Sequence, residues 1–468
     1  MAVILATLVS AGCGPRTDDG GSVRPHEPPN IILVLVDALR RDHVGLYGYP
    51  KPTTPFIDAL GHHGVVFDDA FSQAPQTLNS TASLFTSRCF PFLLRGVEHG
   101  EIPGVAPERR DQWARTPRLA AANLTVAEVL ASAGYETVAL FNNPHHHPSS
   151  GFDQGFATAR LLDRDPDQAY ARIDSMTEAF LDWHEDREPD RPYFAYLHLM
   201  DPHNPYRPPE AYRELFPPGH GRHLYVNGRP VESFTATDLE TMTALYDAEI
   251  RFLDDGLGSL VAGLENRGDL DNTIIVFTAD HGEELMDHAG LGHGKTVELE
   301  QLRIPLVIAG GPVDSADGAR IESLVRNLDL APTIVELAGV GVPEEFQGTS
   351  LMPLIDASAP ATEQPRISYA WIAQLRSLST SEWHCTRDLG GEVLKLYHRP
   401  TDPRGMTDVS NEHPGISELC RNKLNQLEAE GREARRHAEV LRSIETGGEL
   451  PPESEAVLEQ LKALGYVE

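Results

Sequence analysis

The sequence predicts an α/β fold: a large central, mostly parallel sheet flanked by helices, with a smaller C-terminal α+β subdomain. Three observations carry this. Asn30–Asp37 (NIILVLVD) and Thr273–Asp280 (TIIVFTAD) are apolar, β-branched runs of strand length, and such runs suit strands buried on both faces of a parallel sheet. Helical patterns alternate with apolar strands along the chain, the mark of a layered α/β architecture. After about Pro360 the long runs give way to short alternating segments around Trp371, Trp383 and Val393–Tyr397, which read as a small antiparallel sheet.

Taken in order, Asn30–Val36 is a buried strand ending at a carboxylate, Asp37. Thr54 caps a helix with Pro55 in its first turn, and Val65–Phe67 is a short strand. The polar turn Ala74–Gln76 leads into a helical start at Thr77, where the amides and dipole of a helix N-terminus favour an anion. Val126–Ala133 is a helix capped by Thr125, Thr137–Phe141 a strand, Tyr193–Leu197 another, and Asp247–Arg267 a long helix. Ile304–Ala309 supplies one more strand, and Leu419–Leu441 a charged, exposed helix.

The length of 468 residues allows one large domain and a smaller one. A formal net charge of −31 argues against nucleic acid as a partner, because its phosphates would be repelled. An anionic substrate is not excluded, since a metal or a local basic group inverts the field inside one cleft. Met1–Val9 is apolar but too short to span a membrane, and Gly14–Pro29 reads as a tether. Between them, Ser10-Ala11-Gly12-Cys13 resembles a bacterial lipobox. That resemblance implies an exported protein of the periplasm or cell envelope, held to the membrane only through a lipid anchor at Cys13, with a plain cleaved signal peptide as the alternative.

Two sites of chemistry stand out. In open α/β sheets ligands bind beyond the carboxyl ends of the strands. There, Asp280 and His281 offer a hard oxygen and an imidazole nitrogen to a divalent metal. The loop His198-Leu199-Met200-Asp201-Pro202-His203-Asn204-Pro205-Tyr206, stiffened by prolines after a strand, gathers several polar groups, and a histidine has a pKa suited to general acid work.

These segments resemble the sulfatase family of the alkaline phosphatase superfamily. The matching stretches are Asn30–Asp42, Thr54–Leu60, Thr77–Thr86, His198–Tyr206, Thr278–Glu283 and His293–Gly294, followed by Asp329–Ile334 and Gln347–Leu351. The resemblance implies helices on both faces of the sheet and one active site at its carboxyl edge. It divides the chain into a signal or lipoprotein-like segment and tether (1–29), a catalytic domain (30–360) and a C-terminal subdomain with terminal helices (361–468). It also implies one divalent metal ion (Mn, Ca, Mg or Zn) on Asp37, Thr77, Asp280 and His281. Thr77, His203 and His293 then take the catalytic roles. Asn143, His198, Asp201 and Lys295 fall in substrate-binding positions.

The departures from the family pattern bear on mechanism. Ala38 stands where many members carry a second aspartate. Sulfatases form formylglycine from a Cys or Ser in Cys/Ser-x-Pro/Ala-x-Arg, whereas here the aligned residue is Thr77, followed by Asn79 and Thr81. A threonine cannot become formylglycine, but it can attack as an alkoxide when a metal lowers its pKa. The sequence reading is therefore cleavage of a phosphate mono- or diester by a metal-bound Thr77. The alternatives are sulfuric ester hydrolysis without formylglycine, transfer of a phospho group to an envelope glycan or lipid, and a non-catalytic homologue that binds anionic glycans. The substrate is an anionic small molecule or a glycan or lipid ester. His145, His146 and His147 read as a solvated loop, and Cys385 and Cys420 are candidates for pairing in an oxidising compartment.

Overall fold

The computed structural model describes residues 28–94, 117–146, 150–163, 170–221, 234–311, 313, 318–356, 366–451 and 454–463. Cys13, most of the tether, His147, the division near residue 360 and the end of the chain beyond 463 lie outside the described residues.

The central sheet has nine strands among these residues. In chain order they are β1 (Asn30–Val36), β2 (Val65–Phe71), β3 (Glu136–Phe141), β4 (Thr158–Leu161), β5 (Tyr193–Leu199), β6 (Thr273–Ala279), β7 (Arg303–Ile304), β8 (Leu306–Ala309) and β9 (Ala319–Arg326). β1 is central, parallel to β5 on one side and to β6 on the other. β3 and then β4 continue the sheet beyond β5, both parallel. On the far side of β6, β8 runs antiparallel to both β6 and β2, and β9 is parallel to β2. The expected strand Ile304–Ala309 is thus two antiparallel pieces. Pro305, which cannot donate to a ladder, separates them.

Helices Pro55–His63, Ile173–Asp186 and Ala236–Glu265 pack together as one layer, and Thr77–Thr86, Val126–Ser132 and Leu330–Leu337 as another. Thr125 caps its helix through a reciprocal pair with Glu128, as its sequence position suggests. The long helix begins at Ala236, not Asp247, because Thr235 and Asp238 form the same kind of capping box at its true start. C-terminal to the main sheet, Ser368–Ile372, Leu375–Ser379, Trp383–Asp388 and Val393–His398 form a four-stranded antiparallel sheet. Helix Pro414–Thr446 packs against it, longer at both ends than the sequence pattern indicated. Cys385 and Cys420 are thiols sharing one apolar cluster with Tyr369, Leu378, Leu396 and Leu424.

All seven residues of β1 and all seven of β6 are buried. At about 1.5–3 kcal/mol for each large apolar side chain removed from water, these two strands fix the centre of the core. Their apolar drive also carries the residues that follow, Asp37 and Asp280, to zero exposure. Burying a carboxylate is costly unless a charge compensates it. The fold therefore creates two buried carboxylates at one edge and a demand for positive charge beside them.

Candidate metal centre and active site

Strand register brings the site together. Val36 of β1 lies opposite Ala279 of β6, so Asp37 and Asp280 leave adjacent parallel strands at the same level. On the other side Val36 lies opposite Leu199 and Leu35 opposite His198, so His198 sits beside the same strand end. β3 is in register with β5, and the chain leaves it at Asn142 and Asn143. Ala38 turns the chain after Asp37 in the left-handed region, at φ 58°, and its amide donates to Asp280 Oδ1 at 3.1 Å.

Thr77 arrives from the other direction. It is the first residue of a fully buried helix, with Gln76 in the cap position. The helix is pinned to the strand end through Ser80, whose hydroxyl donates to the Asp280 carbonyl at 2.6 Å and accepts from Asn327 Nδ2 at 2.8 Å. Thr77 Oγ1 stands 3.3 Å from Asp37 Oδ2 and 3.4 Å from His281 Nε2. Its side chain therefore faces the metal-type cluster at the mouth of the helix.

Asp37, Asp280 and His281 each direct one ligand atom into a common space, these atoms lying within 4.8 Å of one another. The donor set fits a divalent cation on three counts. Asp37 Oδ1 and Asp280 Oδ2 are buried with no hydrogen-bond partner among the described residues. His281 Nδ1 lies 2.8 Å from the Gly282 carbonyl, which fixes the proton on Nδ1 and leaves the Nε2 lone pair facing the two carboxylates. Burial, with His293 adding to it, lowers the His281 pKa to about 3, so the ring is the neutral species that binds metals. The carboxylates themselves are driven apart. Burial opposes charge on Asp37, yet His203, the His198 bond and His281 hold it well below the usual range. Burial and the Asp37 charge push Asp280 well above it. Two like charges this close need a cation between them.

Around this cluster the remaining sequence candidates divide. Asn143 Nδ2 donates to Asp37 Oδ2 at 2.8 Å, and His198 Nε2 lies 3.3 Å from the same oxygen. Both therefore hold a carboxylate of the cluster in place. His198 is in turn met by the Tyr196 hydroxyl at Nδ1, 3.2 Å away. The His293 ring lies 4.4 Å from the His281 ring and 4.9 Å from the His203 ring, tilted to both, so both catalytic histidine candidates lie beside the cluster. His203 Nδ1 is bound to the Asn204 carbonyl. Lys295 is exposed at the rim, its Nζ donating to the Leu291 carbonyl. Asp201 turns away from the cluster and accepts from the Ile173 amide at 3.1 Å.

Glu283 gains a role that sequence reasoning did not give it. Glu283, fully buried, accepts from His293 Nδ1 at 3.0 Å and from the Tyr206 hydroxyl at 3.1 Å. Burial works against charge on both partners, but their attraction wins: His293 is raised and Glu283 lowered. Both fell inside or beside matched stretches, but a pair separated by nine residues on a glycine-punctuated loop carries no periodic signal. The reading of His145–His147 as a solvated loop is corrected at His146. That ring is fully buried, stacked on Phe141 and 4.8 Å from His198, because it fills the aromatic space beneath the strand ends.

A conserved-family comparison agrees with this architecture. The family model described as Sulfatase matches residues 29–340, and that of the N-sulphoglucosamine sulphohydrolase C-terminal region matches residues 290–430. The chain belongs to the sulfatase family, whose members are ester hydrolases that use a divalent metal ion. Arylsulfatase A of Homo sapiens is 30% identical over 381 residues, covering 73% of this chain and 70% of its own length. The ulvan-active sulfatase of Formosa agariphila is 25% identical, covering 72% of this chain and 66% of its own length. The crystal structure of the phosphonate monoester hydrolase of Agrobacterium radiobacter superposes with a TM-score of 0.68 at 19% identity, covering 86% of this chain and 96% of that one.

Proposed function

We propose that this enzyme cleaves an anionic ester by attack of the Thr77 hydroxyl, and that sulfate esters of aryl or sugar alcohols are the substrates to test first. The observation that carries the attack is the position of Thr77 Oγ1, within 3.4 Å of both Asp37 and His281 at a helix N-terminus. The sulfate preference rests on kinship with arylsulfatase A and the ulvan-active sulfatase. A divalent cation held by Asp37, Asp280, His281 and Thr77 would lower the pKa of the hydroxyl and neutralise charge on the ester oxygens.

The protein's own groups supply the rest. The helix amides at Thr77 favour the anionic group. The bond from the central sulfur or phosphorus to Thr77 Oγ1 forms as the bond to the leaving oxygen breaks. His293, whose pKa the Glu283 carboxylate raises against the effect of burial, carries the proton that the leaving oxygen needs. Burial lowers the His203 pKa, with His293 adding to it and Asp37 opposing it, and His203 orients the leaving oxygen. Water then cleaves the threonine ester and restores the hydroxyl.

A second reading, hydrolysis of a phosphate or phosphonate ester, is favoured by Thr77 itself. With Asn79 and Thr81 where the formylglycine motif needs Pro or Ala and Arg, the aldehyde-hydrate route is closed, and phosphoryl transfer asks mainly for positioning and charge neutralisation. We place the protein in the cell envelope on the strength of its lipobox-like Cys13 segment. The test is turnover of paired aryl sulfate, phosphate, phosphonate and phosphodiester substrates with Mn²⁺, Ca²⁺, Mg²⁺ and Zn²⁺ varied. Thr77→Ala should abolish whichever activity is found, and a rate unchanged by it removes the threonine from the reaction.

A further inference from the structure

A cavity of about 840 Å³ lies where the C-terminal helix Pro414–Thr446 meets the rest of the chain. That is the volume of a ligand site, and its lining includes neither the metal-type cluster nor the catalytic histidines. The helix crosses it as a strut. On one side Cys420 and Leu424 pack with Tyr369, Leu378 and Leu396 of the small sheet. On the other, Ala438, Val440 and Leu441 pack with Phe92, Leu94 and Ala120. Along the span Lys423, Leu427, Glu430 and Ala434 recur at helical spacing, so one face of the helix lines the cavity.

The charge of this lining runs against that of the chain. The formal net charge is −31, yet Arg88, Arg326, Arg366 and Lys423 line the cavity, against Glu430 and Glu433 among the described residues. Arg326, at the end of β9, and Arg366 share one buried carboxylate, Asp329, and their side chains are only 22% and 14% exposed. Arg326 takes both oxygens of Asp329, at 2.7 and 3.2 Å, and the Thr349 amide takes Oδ1 as well. Arg366 is left with one contact of 3.4 Å to Oδ2. Its other N–H groups have no acceptor among the described residues, and a guanidinium does not give up its charge. Burial lowers the Arg366 pKa, with Asp329 opposing this and Arg326 adding to it. The nearby Cys89 thiol, pushed up to about 12 by burial, supplies no negative charge.

We propose that this cavity binds an aromatic monocarboxylate, with its carboxylate on Arg366 and its ring against Phe90, Tyr369 and Leu427. The planar fork of a guanidinium matches a carboxylate. The Phe90 and Tyr369 rings, tilted with centroids 5.4 Å apart, form an apolar wall beside it. Glu430, Glu433 and the negative field of the whole chain disfavour an anion of higher charge. Such a ligand would touch β9, the small sheet and the long helix at once, and so brace their junction. The proposal does not depend on the reaction that Thr77 performs.

The test titrates 2-naphthoate into the full chain with Mn²⁺ by calorimetry, beside 2-naphthylmethanol, which has the same rings and no charge. The naphthoate should bind about tenfold or more tightly than the alcohol, the scale of one hydrogen bond between charged groups. Arg366→Gln should remove that difference while leaving the alcohol unchanged, and Arg366→Lys, which keeps the charge and loses the fork, should fall between. Ala434→Phe puts a ring into the cavity and leaves every charge in place, so it should weaken both ligands. Thermal melting confirms that each variant folds. Equal binding of the two ligands to the wild-type protein, or no binding of either, overturns the proposal. A preference for naphthoate that survives Arg366→Gln, or affinities unmoved by Ala434→Phe, would place the ligand elsewhere and overturn it as well.

Discussion

Asn143 Nδ2 donates to Asp37 Oδ2 at 2.8 Å, on the one oxygen of that carboxylate that also meets Thr77 and His198. The amide turns the carboxylate so that Oδ1 points into the space shared with Asp280 and His281. Groups that orient a metal ligand typically contribute 10- to 100-fold to affinity. Asn143→Ala should therefore weaken Mn²⁺ binding by roughly tenfold or more in an isothermal titration, while leaving the melting temperature of the metal-free protein nearly unchanged. An unaltered affinity would show that the carboxylate is held without the amide.

Gly282 offers a test of how tightly the strand end is set. A Cβ at this position would meet the Glu300 carbonyl oxygen at 2.0 Å, and the Gly282 amide already donates to the Gln301 carbonyl at 2.9 Å. The contact is with backbone, so relief requires the Asp280–Glu283 turn or the Glu300 segment to shift. Gly282→Ala should cost about 1–3 kcal/mol of stability by thermal or urea unfolding, and it should weaken metal binding because His281 moves with the turn. Wild-type stability in this variant would contradict the packing described.

His288 links the loop after the metal-type cluster to the C-terminal subdomain. Its Nδ1 lies 2.9 Å from Glu300 Oε1 and its Nε2 3.0 Å from the Gly405 carbonyl. Both nitrogens donate only in the charged ring. The Glu300 bond raises the pKa from 6.5 to about 9, against the opposing effect of burial. Because the folded value lies above the unfolded one, the stabilisation is complete below pH 6.5 and is lost as pH rises through 9. His288→Gln should flatten the decline of melting temperature across that window. Parallel pH slopes in the two proteins would remove this ion pair from the stability of the junction.

Much of the architecture was legible because the parallel strands are buried on both faces. Runs such as Ile31–Val36 and Ile274–Ala279 announce themselves by composition, and the residues ending them, Asp37 and Asp280, follow from the rule that ligands sit at carboxyl edges. The start of the long helix was missed because its first turns are rich in threonine and acidic residues, although Leu239, Met242, Leu245 and Tyr246 already follow the capping box at Thr235 and Asp238 at helical spacing. Within the site, the metal-type ligands were readable as motif positions. The roles of Asn143 and His198 were not, because they depend on which oxygen of Asp37 each one meets. Arg366 carried no signal at all. It is far from Arg326 in sequence, and only the fold brings the two to Asp329 and the long C-terminal helix.

The most direct test of the whole account is the covalent state of Thr77 during turnover. Enzyme mixed with metal and saturating ester, denatured within the first turnovers and digested, is read by peptide mass spectrometry. The account predicts one added sulfo or phospho group on the peptide containing Thr77, absent from Thr77→Ala, with the accurate mass identifying which anion it is. An adduct on another residue, or sustained turnover by Thr77→Ala, would contradict it.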